Sequence, residues 1–214
     1  MSARPVVVVG AGGHGQAVAD ALQVSGRTVL GFVDPAFEAG AEVVGLRVFG
    51  GDGWLSPQNG YELANGMGGV GRHDDLGRRR SMQVRLEAVG FRFVEVRHPT
   101  AVVSPRAELG GAVQLLARAV VQTGAWIGDG AVINAGAIVE HGCHVGDFSH
   151  CATGSILCGD VTIGRGAHVG AGAVIRQGVS LEDGVVVGAG AVVLGPGEGP
   201  GMLLGVPARR WERG

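Results

Sequence analysis

Residues 101–196 divide without a gap into sixteen groups of six: AVVSPR, AELGGA, VQLLAR, AVVQTG, AWIGDG, AVINAG, AIVEHG, CHVGDF, SHCATG, SILCGD, VTIGRG, AHVGAG, AVIRQG, VSLEDG, VVVGAG and AVVLGP. The third place of every group is apolar, and the first place is Ala, Val, Ser or Cys. The sixth place is Gly in ten groups. An unbroken short period of this kind is typical of a repeat fold whose units stack on one another.

A period of six matches neither the 3.6-residue turn of a helix nor the simple alternation of a strand. It predicts a parallel β-helix in which each group forms a short strand and a corner, and three groups close one coil. Successive coils then stack at about 4.8 Å, with the third-place side chains inside. Glycine at the sixth place permits the positive φ of a sharp corner. Sixteen groups predict a little over five coils.

The six-residue groups resemble those of the hexapeptide-repeat acyltransferases, the left-handed β-helix superfamily. The left hand is implied by this resemblance alone, because general connection rules favour right-handed crossovers. The resemblance covers the C-terminal half of the chain, so the first hundred residues need a separate interpretation.

Composition excludes several classes of function. The chain has 214 residues, enough for one large or two modest domains, and its net charge of −2 gives no basic surface for nucleic acid or for a membrane. The N-terminus lacks a secretory signal, and no 18-residue apolar run is present. Three cysteines, an odd number, suit a reducing compartment. We therefore expect a cytoplasmic protein that has no nucleic-acid or membrane partner.

The N-terminal part reads as a β-turn-α-β unit. Residues 5–9 form an apolar run typical of a buried parallel strand, residues 16–24 an amphipathic helix, and residues 28–33 a second strand. The sequence therefore predicts an α/β half-Rossmann domain at residues 1–98. An all-β left-handed parallel β-helix with a C-terminal tail follows at residues 99–214.

The turn between the first strand and the helix reads GAGGHG, a GxGxxG pattern. Its glycines let backbone N–H groups approach a phosphate at the start of a helix, and an acidic residue after the second strand is placed to meet a ribose or base. A second Gly-rich segment, ANGMGGV, suits either close approach to a ligand or an ordinary loop. The predicted nucleotide-sugar contacts are Gly12, Gly13, His14, Gly15, Asp34, Gly68 and Gly69.

A nicotinamide dehydrogenase is the obvious alternative for such a turn. The length argues against it, because about 98 residues are too few for the two halves that embrace a dinucleotide. One half suggests one nucleotide, free or linked to a sugar. The basic run at residues 78–80 either neutralises a diphosphate or lies on a solvated helix face.

A narrower resemblance rests on three segments: GAGGHG, then HPTAVVSPRAELG, then NAGAIVEHGCHVGDFSH. Together they resemble the sugar O- and N-acetyltransferases of the sialic-acid and bacillosamine type over nearly the whole chain. Members include acetyltransferases of UDP-4-amino-sugars and of GDP-perosamine, which modify the 4-amino group of a nucleotide-linked deoxysugar. The resemblance implies acetyl-CoA as cosubstrate, a homotrimer, and a role in surface polysaccharide, O-antigen or other glycan biosynthesis.

The resemblance also assigns site residues. It implies that His141 is the general base, that His150 contacts the acetyl group or the substrate, and that Asn134 is a polar residue on the substrate side. Histidine suits this chemistry near pH 7. Spacing alone leaves an inert, exposed corner histidine equally possible for His141. Because His141 and His150 are nine residues apart, half a coil, either they meet across a subunit interface or one of them lies outside the site.

The later coils are predicted to bind coenzyme A. The resemblance implies that the backbone N–H of Gly159 points at the thioester oxygen and that the final GVPARR segment lies near the adenine and 3′-phosphate. Small residues leave a groove for the pantetheine arm, although they also suit plain coil packing. The predicted contacts are Gly159, Gly172, Ala173, Ala189, Gly190, Arg209 and Arg210.

Some members of the family carry Glu after the base, whereas this chain has Gly142, so Asp147, a backbone carbonyl or the N-terminal domain is left to orient His141.

The histidines and cysteines between residues 141 and 158 occupy different places in their groups and point in different directions, which argues against zinc. O-acetylation, a dehydrogenase and a non-catalytic scaffold are the alternative functions.

Overall fold

The computed structural model describes residues 3–69, 73–196 and 201–211. Its N-terminal domain contains, in chain order, β1 (Val6–Val9), α1 (Gly13–Val24), β2 (Val29–Val33), β3 (Glu42–Val43), β4 (Leu46–Arg47), β5 (Glu62–Asn65) and α2 (His73–Ala88). Single 3-10 turns lie at Asp52–Trp54 and Pro57–Asn59. The three longer strands form a parallel sheet in the order β2-β1-β5.

The central strand β1 is fully apolar because both of its faces are covered. Val6 and Val8 pack with α1, through residues such as Leu22. Val7 and Val9 pack on the other face with Met82 and Leu86 of α2. Helix α1 begins at Gly13, three residues before the start expected from the sequence, because the Gly-rich turn forms the first turn of the helix.

The solenoid follows. Its strands, in chain order, are β6 (Val96–Arg97), β7 (Val102–Val103), β8 (Glu108–Leu109), β9 (Gln114–Leu115), β10 (Val120–Val121), β11 (Trp126–Ile127), β12 (Val132–Ile133), β13 (Ile138–Val139), β14 (His144–Val145), β15 (His150–Cys151), β16 (Ile156–Leu157), β17 (Thr162–Ile163), β18 (His168–Val169), β19 (Val174–Ile175), β20 (Ser180–Leu181), β21 (Val186–Val187), β22 (Val192–Val193), β23 (Met202–Leu204) and β24 (Arg209–Trp211). Each of the sixteen groups of six contributes one strand, β7 to β22, from its second and third places.

The strands form three walls. The histidine wall contains β6, β9, β12, β15, β18, β21, β23 and β24; the aliphatic wall contains β7, β10, β13, β16, β19 and β22; the polar wall contains β8, β11, β14, β17 and β20. Pairing is parallel between residues 18 apart, as in Ile133 with Cys151. The predicted fold class is confirmed. The solenoid is somewhat longer than expected, because β6 and β23 add to the histidine wall without belonging to a group of six.

Burial follows the place within the group. Third-place residues such as Leu115, Ile133 and Ile163 have no exposed surface, and small first-place residues such as Ala137 fill the space between them. All ten sixth-place glycines have positive φ, as expected. Ala112, Arg118, Phe148 and Asp160 adopt the same conformation without being glycine.

The two domains pack directly on each other. Val96 and Leu116 of the solenoid belong to the same apolar cluster as β1 and α1. Phe148, at a corner of the solenoid, packs against the corner at Gly130 and beneath the Arg79 guanidinium of α2, whose carbon lies 5.9 Å from the ring centre. None of the helices in the described residues is long and apolar enough to cross a membrane.

Candidate active site

The histidine wall meets the N-terminal domain at the ends of β1 and β5, where the two Gly-rich loops lie. His150 is the central residue of this junction, with 9% of its surface exposed. Its Nε2 lies 3.0 Å from the amide Nδ2 of Asn134, and its Nδ1 lies 3.3 Å from the carbonyl oxygen of Gly69. His150, Asn134 and Gly69, named separately from the sequence, are therefore brought together.

These contacts define the protonation of His150. A carbonyl oxygen only accepts, so Nδ1 of His150 carries the proton and donates to Gly69. The backbone N–H of Ala135 donates to Oδ1 of Asn134 at 2.7 Å, which leaves the Asn134 NH₂ facing the unprotonated Nε2. Burial first, and then the nearby His168, His14 and Arg79, lower the pKa of His150 to about 3. His150 is thus neutral near pH 7, and both nitrogens already have partners.

His168 lies one coil further along the same wall. Its ring stands edge-on to that of His150, with 5.0 Å between the ring centres. It is 8% exposed, and its Nδ1 has no hydrogen-bond partner among the described residues. Burial lowers the pKa of His168 as well. His150 and His168 pair in adjacent coils because they are 18 residues apart, and His168 was not among the site residues assigned from the sequence.

A cleft of about 460 Å³ runs along the histidine wall from this junction. It begins at Gly69, Asn134, His150 and His168, and continues along small residues of the later coils to Met202. The residues lining this further part are Ala152, Thr153, Gly170, Ala171, Val186, Val187, Gly188 and Ala189. The shape suits a narrow, flexible ligand that reaches the histidines from the far end of the solenoid.

The predicted coenzyme A contacts occupy different positions relative to this cleft. Ala189 lines it, whereas Gly172 and Gly190 are exposed corners outside its lining. Ala173 is corrected: as a first-place residue its side chain lies wholly inside the solenoid, so it offers no surface to a ligand. Arg209 is exposed on β24, where its Nη1 donates to the carbonyl oxygen of Ala208 at 3.2 Å.

Arg210 lies on the same strand and is also exposed. Its guanidinium lies close to Gly201, across the antiparallel pairing of β23 with β24. The two arginines predicted to meet the adenosine phosphate thus belong to the last strand pair, beyond the Met202 end of the cleft.

A second cavity, of about 310 Å³, lies at the carboxyl ends of β1 and β2. Gly10 of the GxGxxG turn and the predicted contact Asp34 line it, whereas the other predicted contacts of the turn, Gly12, Gly13, His14 and Gly15, are not among its described lining residues. The Asp34 carboxylate accepts hydrogen bonds from the backbone N–H groups of Ala11 at 2.8 Å and Ala36 at 2.9 Å, so it also holds the turn in shape.

Other lining residues of this cavity were not singled out in the sequence. They are Val9, Val33, Pro35, Asp52, Met67, Met82 and Arg85. An ion pair joins Arg85 and Asp52 there. Asp52 and Met82 come from segments with no motif of their own, and only tertiary packing brings them to the turn.

The glycines of the turn have distinct roles. A Cβ at Gly12 or Gly13 would meet nothing within 4 Å, so these residues present open backbone at the start of α1. A Cβ at Gly15 would collide with the carbonyl oxygen of Gly10, so Gly15 is required by packing. Gly68 packs against His14, where a Cβ would lie 3.2 Å from that of His14.

Arg79 departs from both sequence interpretations of the basic run, whereas Arg78 and Arg80 are exposed, as a solvated helix face requires. Arg79 is 2% exposed, and its Nη2 donates to the carbonyl oxygen of Gly130. Burial lowers its pKa to about 10, so it stays charged near pH 7. Its charge helps to keep His14 and His150 neutral.

His141 lies on the corner between the aliphatic and polar walls, away from His150, and it is exposed. Its ring covers Gly159, one coil further along, so closely that a Cβ at Gly159 would collide with it. Asp147, a candidate to orient it, instead accepts from the N–H of Asp129 at 3.1 Å and pairs with Arg165 at 3.7 Å. Within the described residues, no three His, Cys, Asp or Glu side chains are grouped so as to hold a metal ion.

Comparison with known proteins places this fold among the bacterial hexapeptide transferases, the class of left-handed parallel β-helix enzymes. The model of the bacterial transferase hexapeptide matches residues 160–195, that of the hexapeptide repeat of succinyl-transferase matches residues 117–141, and that of the PglD N-terminal domain matches residues 5–71. The chain belongs to the family of sugar acetyltransferases that join these two domains, and it is an acetyltransferase.

Solved structures of relatives are similar over nearly the whole chain. The acetyltransferase domain of PglB from Neisseria gonorrhoeae FA1090, in complex with acetyl coenzyme A, is 33% identical with a TM-score of 0.89, covering 98% of this chain and 100% of that one. PerB from Caulobacter crescentus, in complex with CoA and GDP-perosamine, is 34% identical with a TM-score of 0.85, covering 99% and 100%. No curated protein sequence matches the chain.

Proposed function

We propose that this enzyme transfers the acetyl group of acetyl-CoA to the 4-amino group of a nucleotide-linked deoxyaminosugar. The observation that carries the proposal is the cleft of the histidine wall, which begins at Gly69 beside the nucleotide-binding turn and continues to Met202 along small residues. It leads from the proposed nucleotide site to a groove lined by small residues, which suits a narrow pantetheine arm. The ligands of PglB and PerB support the same pair of substrates.

In the proposed reaction the sugar amine attacks the thioester carbonyl carbon. The C–N bond forms, the C–S bond breaks, and coenzyme A leaves as its thiolate, which is then protonated. His141 accepts the proton that the amine loses. The backbone N–H of Gly159, beside the His141 ring, makes no hydrogen bond to the described residues and is available to the carbonyl oxygen as charge develops there.

Asp160 is the carboxylate best placed to orient His141. Gly142 has a φ of +67°, and a Cβ there would collide with Oδ1 of Asp160, so the Asp160 carboxylate occupies the space of a side chain at position 142. The backbone N–H of Asp160 also donates to the carbonyl oxygen of His141 at 2.9 Å. We propose that Asp160 takes the orienting role that the sequence left open.

A homotrimer completes the proposed site, because His141 and His150 lie on different sides of one protomer. The outward side chains of the aliphatic wall form an unbroken apolar column: Val102, Val120, Ile138, Ile156, Val174 and Val192. The matching column of the polar wall carries Glu108, Trp126, His144, Thr162 and Ser180. We propose that the aliphatic walls pack together and bring His141 of one protomer to the cleft of the next.

Ile156→Arg tests this assembly, with Thr162→Arg as its matched control. Both residues hold the second place of consecutive groups, but Ile156 lies on the aliphatic wall and Thr162 is exposed on the polar wall. Light scattering at micromolar concentration should show a trimer for the wild type and the control, and a monomer of low activity for Ile156→Arg. A fully active wild-type monomer would exclude the interfacial site.

The proposed reaction is tested with acetyl-CoA and a panel of UDP-, GDP- and dTDP-linked aminosugars, followed by the release of free thiol. Analogues with a hydroxyl in place of the amine serve as controls, and mass spectrometry with NMR locates the acetyl group. We expect one N-acetylated product and no reaction of the hydroxyl analogues. Acetylation of the hydroxyl analogues would favour the O-acetyltransferase, and a lack of thiol release with every sugar would refute the proposal.

The proposed compartment is the cytoplasm. Cys143 and Cys151 are buried and Cys158 is partly buried, and all three are free thiols, as expected in a reducing environment. Burial raises the pKa of Cys143 to about 11. This high value makes Cys143 a poor nucleophile and agrees with direct attack by the amine without an acyl-enzyme.

A further inference from the structure

Gln114 is a buried polar residue at the contact between the two domains. It lies on β9 of the histidine wall with 1% of its surface exposed. It pairs with Val132, which pairs in turn with His150, so Gln114 and His150 point out of the same wall two coils apart. Neither the nucleotide contacts predicted at the GxGxxG turn nor the proposed acetyl transfer requires a buried amide at this position.

Both ends of the Gln114 amide bind the N-terminal domain. Its Nε2 donates to the carbonyl oxygen of Asn65 at 2.6 Å, and its Oε1 lies 2.8 Å from Nε2 of His14. The carbonyl of Asn65 only accepts, so the NH₂ of Gln114 must face it and Oε1 must face His14. His14 therefore carries its proton on Nε2 and donates it to Gln114.

This arrangement determines the protonation of the other ring nitrogen of His14, Nδ1. Nδ1 is left unprotonated, and it makes no hydrogen bond to the described residues, although the ring is partly exposed. Burial first, and then the charge of Arg79, lower the pKa of His14 to about 4, so the ring stays neutral near pH 7. Nδ1 is thus a free acceptor on the second residue of α1, beside the open backbone of Gly12 and Gly13.

The same amide also fixes the second Gly-rich loop. Asn65 ends β5, and its side-chain amide donates to the carbonyl oxygen of Arg79 at 3.2 Å and to Oε1 of Gln83 at 3.1 Å. The loop that follows brings the carbonyl of Gly69 to His150. The His14 ring centre lies 6.2 Å from that of His150. One glutamine therefore holds both loops in position relative to His150.

We propose that Gln114 is a positioning residue of the acetyl-transfer site. It holds His14 in the Nε2–H form, so that Nδ1 accepts a hydrogen bond from a hydroxyl or amino group of the bound nucleotide aminosugar. The identity of this ligand rests on the proposed function. The tautomer of His14 and its dependence on Gln114 are properties of the folded chain and can be measured without any substrate.

The first experiment measures the tautomer by long-range ¹H–¹⁵N NMR of the enzyme labelled with ¹⁵N-histidine. The His14→Gln variant identifies the His14 signals. We expect the Nε2–H form in the wild type and in Gln122→Ala, a control that removes an exposed glutamine. In Gln114→Ala we expect a mixture of tautomers. An Nδ1–H form in the wild type, or an unchanged tautomer in Gln114→Ala, would overturn the proposal.

The second experiment separates positioning from stability through steady-state kinetics. Gln114→Ala should raise KM for the nucleotide aminosugar about tenfold or more, the size expected for one lost hydrogen bond in a buried site, and leave KM for acetyl-CoA within about twofold. Gln114→Glu keeps the acceptor for His14 but loses the donor to Asn65. Its charge favours a second proton on His14, which turns Nδ1 into a donor, so this isosteric variant should also raise the sugar KM.

An equal rise in both KM values would mean that Gln114 only supports the fold, and a wild-type sugar KM in Gln114→Glu would contradict the acceptor role of Nδ1. Failure of the wild type to acetylate any aminosugar would instead refute the proposed function and the ligand assigned to Nδ1. In that case the NMR measurement would still decide whether Gln114 sets the tautomer of His14.

Discussion

In the solenoid, the third place of a group of six is buried in nearly every coil, whereas in the N-terminal domain identical residues two positions apart have different surroundings. Thr162 on the polar wall is exposed and its neighbour Ile163 is wholly buried, while on the histidine wall second-place residues such as Gln114 and His150 are buried as well. Gly13 faces open space, whereas Gly15 touches the carbonyl of Gly10. Substitutions at third places of the solenoid can therefore be judged from the sequence, and those in the N-terminal domain need the structure.

The largest expected effect is a loss of catalytic rate on substitution of His141, whose exposed position in its group of six gives no sign of a functional role. His141 is an exposed corner residue, yet His141→Ala should lower kcat by about 10²–10⁴-fold, the contribution of a positioned general base. His141→Asn should behave similarly, because it cannot take the proton. Steady-state rates and light scattering should show an intact trimer with little activity.

His144→Ala is the matched control for His141. His144 is exposed on the polar wall and stacks on Trp126, with 4.1 Å between ring centres. It should keep kcat within about threefold of the wild type, because no proposed chemistry uses it. A His141→Ala enzyme that retains more than a third of the wild-type kcat would remove His141 from the general-base role.

The second effect tests whether third-place side chains contribute more to stability than exposed second-place side chains. Ile163→Ala removes a wholly buried third-place side chain and should lower the free energy of unfolding by about 2–5 kcal/mol. Thr162→Ala, one residue earlier and exposed, should change it by less than about 0.5 kcal/mol. Urea unfolding at one protomer concentration measures both, and equal losses would show that the walls do not separate inside from outside.

The third effect concerns the histidines at the domain junction. Unfolded histidine has a pKa near 6.5, whereas the folded values are about 4 for His14 and about 3 for His150. Between the two values the unfolded chain binds more protons, so stability is full above pH 6.5 and falls as the pH drops. The expected loss is about 1.4 kcal/mol per pH unit for each histidine.

Urea unfolding between pH 7.5 and pH 5 measures this slope at a fixed protomer concentration. His150→Gln should reduce the slope by about one proton, and His144→Gln, at an exposed position, should leave it unchanged. Equal slopes for the wild type and His150→Gln would show that His150 is protonated in the folded enzyme.

The smallest expected effect is a change in the sugar KM, and its test compares Gly13 with Gly15 of the GxGxxG turn. Gly13→Val should keep the fold, and it should raise the sugar KM about tenfold by blocking phosphate access to the start of α1, with KM for acetyl-CoA unchanged. Gly15→Ala, although a smaller change, should unfold or loosen the domain because it collides with the Gly10 carbonyl. Circular dichroism measures folding and steady-state kinetics measures the sugar KM. A folded Gly15→Ala variant beside an unfolded Gly13→Val variant would contradict the prediction.

The hexad pattern predicted the solenoid down to single strands, because one rule of burial repeats sixteen times. The GxGxxG turn predicted the strand, turn and helix around it for a similar reason, since its backbone geometry is local; the nucleotide site assigned to it stays a prediction. The pattern did not reveal the burial of Arg79 or the bridge from Gln114 to His14. Both depend on how two domains dock, and docking leaves no period in the sequence.

Two corners of the solenoid carry a residue other than glycine that contacts another part of the chain. Phe148 and Asp160 stand where the pattern favours glycine, and both have positive φ. Phe148 packs against the N-terminal domain, and Asp160 fills the space beside Gly142. At these two of the four corners where a residue other than glycine has positive φ, the side chain makes a contact that could not be read from the sequence.

The 18-residue coil gives this enzyme a unit of length. Because each coil adds one step of about 4.8 Å, the distance between the N-terminal domain and the Met202 end of the cleft can change only in whole steps. Deleting 18 residues would keep every column aligned and shorten this distance by one coil. Deleting six would move His168 from the histidine wall to the polar wall. Evolution of a longer or shorter substrate reach in this architecture is therefore confined to gains and losses of complete coils.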